Sequence, residues 1–160
     1  MDNEFEEVVV ENFGPFIGKH ALRLNNGASL NFVKGRNEAE PALGPNGAGK
    51  SKLLNAIAWC LYGKTTDDLA STDIRPWHSE KQTIVTLKLT TWDGDEGDQH
   101  VVKRTAGPNS VTIDGKKVLQ PEIDQLIGMT FDVVRLAPFL GQGQPLFHDL
   151  PNREKLDFLV

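Results

Sequence analysis

The sequence has 160 residues, a single cysteine, Cys60, and no long hydrophobic run. One cysteine cannot form an internal disulfide or a cysteine-based zinc cluster, so a disulfide-stapled secreted fold is excluded. No segment approaches the roughly 20 apolar residues of a membrane-spanning helix, and the acidic start at Asp2 and Glu4 is unlike a signal peptide. We therefore expect Cys60 to fill space in a core, and the chain to work in the cytoplasm without a membrane.

An excess of positive charge is also missing, because the formal net charge is −5 at pH 7. Proteins that bind nucleic acid usually carry a basic footprint, so the overall composition does not predict that function. A local basic patch remains an alternative at Lys103, Arg104, Lys116 and Lys117, and a solvated strand face explains the same residues. With 39% hydrophobic and 24% charged residues, residues 1–160 are typical of one globular domain.

The most informative stretch is residues 44–51, which read G-P-N-G-A-G-K-S and match the phosphate-binding pattern G-x-x-x-x-G-K-[ST]. Its glycines let backbone N–H groups surround an anion that side chains would otherwise keep away. Lys50 then supplies a positive charge to the β- and γ-phosphates, and Ser51 a hydroxyl to Mg²⁺. We therefore predict a site for ATP and Mg²⁺, the alternative being a glycine-rich surface turn.

Hydrophobic periodicity around this loop predicts an α/β fold in four consecutive parts. Residues 1–34 form antiparallel strands, and residues 35–63 hold a polar insertion at 35–43, the loop and an amphipathic helix over 50–61 that ends near Gly63. Residues 64–120 form a loop and two hairpins, and residues 121–160 form a helix, a glycine-rich turn and a last helix that we expect to continue. The predicted strands are residues 4–11, 20–24, 28–34, 83–91, 100–105, 110–113 and 116–119.

A self-sufficient P-loop hydrolase also needs an apolar strand that ends in a carboxylate and holds Mg²⁺. No strand in this sequence ends in that way: Asp93 follows a half-polar strand, and Asp132 precedes its apolar run. The sequence therefore predicts ATP binding without an obvious means of hydrolysis. We expect this chain on its own to be inactive as an ATPase.

Four motifs occur in a familiar order: V-V-V-E-N-F at residues 8–13, N-G-A-G-K-S at 46–51, the helical run at 53–63 and L-G-Q-G at 140–143. In this order they resemble the N-terminal half of the ATPase head of SbcC-type DNA double-strand-break repair proteins, relatives of the SMC proteins. Among such proteins, the sequence most resembles a phage recombination-endonuclease subunit. The resemblance implies a P-loop NTPase of the ABC/SMC-head type, with a mixed sheet, an antiparallel β lobe and the P-loop helix between them.

The resemblance also implies residue roles. Gln142 corresponds to the Q-loop glutamine, which touches Mg²⁺ and the water near the γ-phosphate, so Lys50 and Gln142 would be catalytic, and Gln144 is the alternative register. Lys52 replaces a hydroxyl residue that reaches the α-phosphate, and it either makes an ionic contact with the nucleotide or turns to solvent. Gly14 stands where many relatives have a basic residue beside the base. The residues implied to bind ATP are Asn46, Gly47, Ala48, Gly49, Lys50, Ser51 and Lys52, with Ser51 and Gln142 as ligands of Mg²⁺.

The partners follow from the same resemblance. In the family, the signature motif and the Walker B aspartate lie in the C-terminal half of the head, beyond a coiled coil, and two heads close around two ATP molecules. An SbcD-like nuclease subunit and double-stranded DNA are the expected partners, in a bacterial or phage-infected cell. Two other functions stay open: a small P-loop phosphotransferase such as a kinase, and a non-catalytic ATP-binding interaction module.

Overall fold

In the computed structural model, residues 2–25, 27, 33–36, 41–43, 49–67, 69, 73–76 and 80–136 are described. Their strands form one six-stranded sheet in the order β2-β1-β3-β4-β5-β6, and every pair is antiparallel. This sheet is the antiparallel β lobe that the sequence predicts. The strands are β1 (Asp2–Phe13), β2 (Phe16–Arg23), β3 (Thr83–Asp93), β4 (Glu96–Ala106), β5 (Ser110–Ile113) and β6 (Lys116–Lys117).

The long helix α1 (Lys50–Tyr62) packs on one face of this sheet. Alternating residues of the central strands point towards it and are fully buried, as the period-2 pattern requires. Gly63 ends the helix with φ 69° and donates its N–H to the carbonyl oxygen of Trp59 at 2.8 Å. The core between helix and sheet includes Val8, Val10, Ile57, Cys60, Leu61, Val85, Leu87, Leu89 and Val102.

Shorter helices flank the core: α2 (Gln120–Ile127), α3 (Phe131–Leu136) and a 3₁₀ turn at Pro41–Leu43. The prediction of α2 is confirmed, and Gly128 ends it with φ 71°. The sequence predicted neither a helix nor a strand for the apolar run that forms α3, so this helix is seen only in the structure. In the described part of the chain, no helix is long and apolar enough to cross a membrane.

Most predicted strands are confirmed, with different bounds. The predicted strands 83–91 and 100–105 do form a hairpin, but its turn is shorter than predicted, because β3 runs to Asp93, β4 starts at Glu96, and Asp93 pairs directly with Glu96. Gly94, with φ 63°, allows this tight turn. Of the predicted strand 28–34 only residues 33 and 34 are described, without regular structure, and the predicted helix 153–160 lies outside the described residues.

Cys60 is expected to be chemically inert in the folded protein. It is 0% exposed, and burial raises the pKa of its thiol to about 12, although the positive charge of Arg104 opposes this rise. Since the thiolate is the reacting form, we expect alkylation by iodoacetamide at pH 8 to be at least about 100-fold slower than in urea-unfolded chain. The control is Asn109→Cys, which adds a thiol at an exposed turn. Mass spectrometry of this variant should show one label, at residue 109. Rapid labelling of native Cys60 would contradict the packing described.

Candidate functional site

Gly49, which precedes α1, has a backbone that other residues adopt poorly. Its φ is 81° and its ψ is 11°, in the left-handed region. A Cβ atom at this position would lie 3.0 Å from Cγ of Pro15 and 3.1 Å from Cζ of Phe16. Glycine is therefore required at residue 49 both for the backbone angle and for the close approach of the β1–β2 turn.

The turn between β1 and β2 supports the start of α1. Gly14 donates its N–H to the carbonyl oxygen of Ile74 at 2.6 Å, and Asn12 accepts a hydrogen bond from the N–H of Gly18 at 3.0 Å. Phe13 is fully buried, with its ring centroid 5.7 Å from that of Trp59 on α1. The Asn-Phe pair of the N-terminal motif thus has a structural role, because it holds this turn against the helix.

The first turn of α1 is suited to an anion. The first amides of a helix have no carbonyl partner four residues earlier, and the helix dipole is positive at this end. Gly49 has no side chain to cap these amides, and the first turn contains no acidic residue. Lys50 is partly buried and Ser51 is exposed here, whereas Asn46, Gly47 and Ala48 lie outside the described residues.

Lys52 forms an ion pair that was not anticipated from the sequence. Its Nζ atom lies 2.6 Å from Oδ2 of Asp67, a residue of the segment that follows α1 in the sequence and returns to its first turn. Burial raises the pKa of Asp67, but the hydrogen bonds and charge of Lys52, with a hydrogen bond from Thr65, outweigh it, so the net pKa is lowered. Lys52 is therefore held by a carboxylate in this structure, and its predicted contact with ATP stays a prediction.

This ion pair leads to a pH-dependent prediction. A carboxylate with a lowered pKa stabilises the fold above its unfolded pKa, and this contribution is lost as the pH falls through the folded pKa. In Lys52→Ser, the pKa of Asp67 should rise, so urea denaturation should show a shallower loss of stability on acidification than in wild type. Nucleotide affinity should change by less than about threefold, because Ser51 and Lys50 remain. Identical acid profiles for both proteins would show that the pair has no energetic effect.

Two cavities flank the start of α1. A cavity of about 200 Å³ lies on the sheet side and is lined among others by Phe16, His20, Lys50 and Leu53. A larger cavity of about 720 Å³ lies across the β1–β2 turn and is lined among others by Gly14, Lys52, Asp73 and Arg75. A Cβ at Gly14 would lie 3.7 Å from Cβ of Lys52, so the absence of a side chain at residue 14 leaves this cavity wider.

The suggested basic patch divides between the two faces of the sheet. Lys103 pairs with Thr112, and Thr112 with Lys117, so both lysines lie on the face opposite α1, and both are exposed. Arg104 points to the core side instead, like its neighbours Val102 and Ala106 on β4, so its place in a surface patch is wrong. The sequence signal for this was available: Arg104 falls in phase with the buried residues of β4.

Gln142 and Gln144 lie outside the described residues, so the Q-loop assignment remains a prediction.

Comparisons with known proteins agree with the resemblance seen in the sequence. The chain is 29% identical over 133 residues to the C subunit of the nuclease SbcCD from Deinococcus radiodurans, and 31% identical over 126 residues to exonuclease subunit 2 of Enterobacteria phage T4. Each alignment covers 71% of this chain, but only 14% and 22% of those proteins. The chain therefore spans a small part of the length of these relatives.

The fold and the family are also shown. The structure of the recombination mediator RecF with ATP superposes with a TM-score of 0.52 at 18% identity, covering 76% of this chain and 30% of that chain. This likeness confirms the predicted fold of an ABC-type ATPase head. Residues 42–156, which include the phosphate-binding pattern and α1, match a family described as AAA domain. The chain belongs to this AAA domain family, AAA_23.

Proposed function

We propose that this chain binds MgATP at the start of α1, as part of an ATPase head that powers DNA-end processing with a nuclease subunit. The observation that carries the proposal is the first turn of α1. This turn contains Lys50 and Ser51 and follows Gly49, whose backbone is in the left-handed region. It has no capping side chain and no acidic residue. The relatives named as a component of the nuclease SbcCD and as an exonuclease subunit support the DNA-processing role.

In this proposal the phosphates lie against the first-turn amides and the ammonium group of Lys50. The described residues contain no group of three His, Cys, Asp or Glu side chains that could hold a metal by itself. This fits Mg²⁺ bound mainly through phosphate oxygens and water, with Ser51 and Gln142 as protein ligands. The nucleoside then lies in the larger cavity, where Gly14 offers no side chain to the base.

The catalytic site is completed by other chains or chain segments. In the sequence, no apolar strand is followed by a carboxylate, and the described strand β3 ends in Asp93 at the opposite end of β1 from the β1–β2 turn. In this proposal the Walker B and signature residues therefore come from the C-terminal half of the head. Closure of two heads around ATP then brings the parts together. Closure is driven by ATP only to the extent that ATP binds the closed pair more tightly than the open one.

Double-stranded DNA is the proposed substrate of the complete assembly. Positively charged residues on the sheet face opposite α1 support this proposal. The cross-strand register places Arg23, Lys88 and Lys103 on that face. Glu7 and Glu11 on the same face pair with Lys88 at 2.7 Å and Lys19 at 3.8 Å. These ion pairs partly neutralise Lys88 and Lys19, so the exposed Arg23 and Lys103 are the proposed DNA contacts, and contacts of such side chains with phosphates do not depend on base sequence.

Steady-state ATP hydrolysis tests the proposal. We expect no turnover by this chain alone above the level of Lys50→Ala, and turnover that requires Lys50 when the C-terminal half is supplied in trans. Gln142→Ala should spare nucleotide binding but slow this turnover about 100-fold, since it removes a group near the attacking water. Turnover by the isolated chain that depends on Lys50 would instead indicate a self-contained P-loop enzyme. Loss of ATP binding in Gln142→Ala would contradict the role given to Gln142.

A further inference from the structure

Arg104 on β4 binds the C-terminal end of α1. Its Nε donates to the carbonyl oxygen of Cys60 at 2.8 Å, and its Nη2 donates to that of Leu61 at 2.9 Å. The same Nη2 lies 2.7 Å from Oε1 of Gln120 at the start of α2. One guanidinium therefore connects β4, the end of α1 and the start of α2.

Gln120 completes the connection. Its Nε2 donates to the carbonyl oxygen of Leu61 at 2.9 Å and to Oδ1 of Asp124 at 2.9 Å. The space around the guanidinium is limited, because a Cβ atom at Gly63 would lie 3.2 Å from Nη1 of Arg104. We call this set, Arg104 with Gln120, the α1 clamp.

The chemistry of the clamp fits the end of a helix. The last carbonyl groups of a helix have no partner within it, and the negative end of the helix dipole attracts a cation. α1 has no basic residue in its own last turn, so Arg104 supplies this charge from a neighbouring strand. The planar guanidinium can reach two successive carbonyl oxygens at once, which an ammonium group on the same strand would do poorly.

The other end of α1 carries the phosphate-binding residues. The helix has 13 residues, and a helix of that length is a rod of about 20 Å, so its two ends move together. At the N-terminal end, Pro15 and Phe16 of the β1–β2 turn lie so close to Gly49 that a Cβ atom there would be 3.0 and 3.1 Å from their side chains. In addition to the packing of α1 on the sheet, this turn at one end and the clamp at the other therefore hold the helix that carries Lys50 and Ser51.

We propose that Arg104 is a positioning residue for the nucleotide: by holding the C-terminal end of α1 against β4 and α2, it places Lys50 and Ser51 against the phosphates. The proposal rests on the proposed function, because it requires the nucleotide to bind at the start of α1. It adds a residue at the opposite end of the helix from the phosphates, on which their binding depends.

The test compares MgATP affinity in Arg104→Ala and Val111→Ala. Val111 lies directly opposite Arg104 on β5, is 8% exposed and belongs to the same core, so its truncation weakens the packing around β4 while the hydrogen bonds from Arg104 to α1 remain. Displacing a binding group by up to about 1 Å strongly weakens its interaction with the ligand. We therefore expect about tenfold weaker MgATP binding in Arg104→Ala. Val111→Ala should stay within about twofold of wild type.

A second readout separates positioning from stability. Millimolar guanidinium chloride, compared with sodium chloride at equal concentration, should restore most of the affinity of Arg104→Ala and leave Val111→Ala unchanged. If Arg104→Ala does not fold, Arg104→Lys and Gln120→Ala take its place, each with an expected loss of about threefold, because each keeps part of the clamp. Urea denaturation in parallel shows which variants are folded under the binding conditions.

The outcomes are distinct. Equal affinities of the Arg104 and Val111 variants, or affinity loss in Arg104→Ala without recovery by guanidinium, would overturn the positioning role while leaving the proposed function intact. Failure of the wild-type protein to bind MgATP would overturn the proposed function and, with it, this inference. A selective loss in Arg104→Ala that guanidinium reverses would establish the clamp.

Discussion

Lys50→Ala is expected to lower the affinity for MgATP by at least about tenfold, equivalent to about 1.4 kcal/mol. The reason is that a charge-assisted contact with the phosphates is lost at the start of α1, where the helix amides alone remain. Isothermal titration calorimetry or a fluorescent nucleotide measures the change.

Lys117→Ala is the matched control for this experiment. It removes the same charge from an exposed residue of β6, on the sheet face opposite α1, and should leave the affinity unchanged. If Lys50→Ala bound MgATP as tightly as Lys117→Ala, residues 44–51 would not be the nucleotide site.

Gly49→Ala is expected to have the largest combined effect on stability and binding. The left-handed backbone angle costs about 1–2 kcal/mol for alanine. The new Cβ would also meet Pro15 and Phe16 at 3.0 and 3.1 Å, and such overpacking costs roughly a further 1–3 kcal/mol. Because the β1–β2 turn or the first turn of α1 must shift, MgATP binding should weaken as well. Urea denaturation and nucleotide titration measure the two effects.

Gly115→Ala separates the two causes. Gly115 has φ 81°, the same as Gly49, but a Cβ at this position meets nothing within 4 Å. It should therefore lose only the backbone contribution and keep wild-type affinity for MgATP. Equal destabilisation of the two variants would mean that the close approach of Pro15 and Phe16 is not energetically important.

Local signals predicted much of the described fold. The hairpin of β5 and β6 was predicted from the strands 110–113 and 116–119, which an Asp-Gly pair separates, and Asp114 and Gly115 take positive φ there. Apolar spacing followed by Gly63 predicted α1 to within one residue. In contrast, the β3–β4 turn was predicted too long, because strand pairing extends into the polar residues of the tip once the neighbouring strand provides the hydrogen bonds.

The side-chain contacts in the candidate site were harder to predict from the sequence. Lys52 was considered only as a phosphate contact or a solvent-exposed lysine, and the structure pairs it with Asp67, 15 residues further along. Nothing in the sequence around either residue indicates this partner, because it depends on how the segment after α1 folds back along the helix. The same is true of Gly14, whose position beside Lys52 results from the packing of the β1–β2 turn against α1.

The amino-acid sequence alone was sufficient to recognise the phosphate-binding pattern, the helix that follows it, the antiparallel strands and the resemblance to SbcC-type heads. These depend on residues near one another in the chain, where spacing and turn chemistry act directly. The strand period of β4 already places Arg104 on the core side, but its contact with the end of α1, between residues 44 positions apart, exists only in the folded structure. Such a contact depends on the packing of β4 beneath the helix, which brings the unpaired carbonyl groups within reach of a single guanidinium.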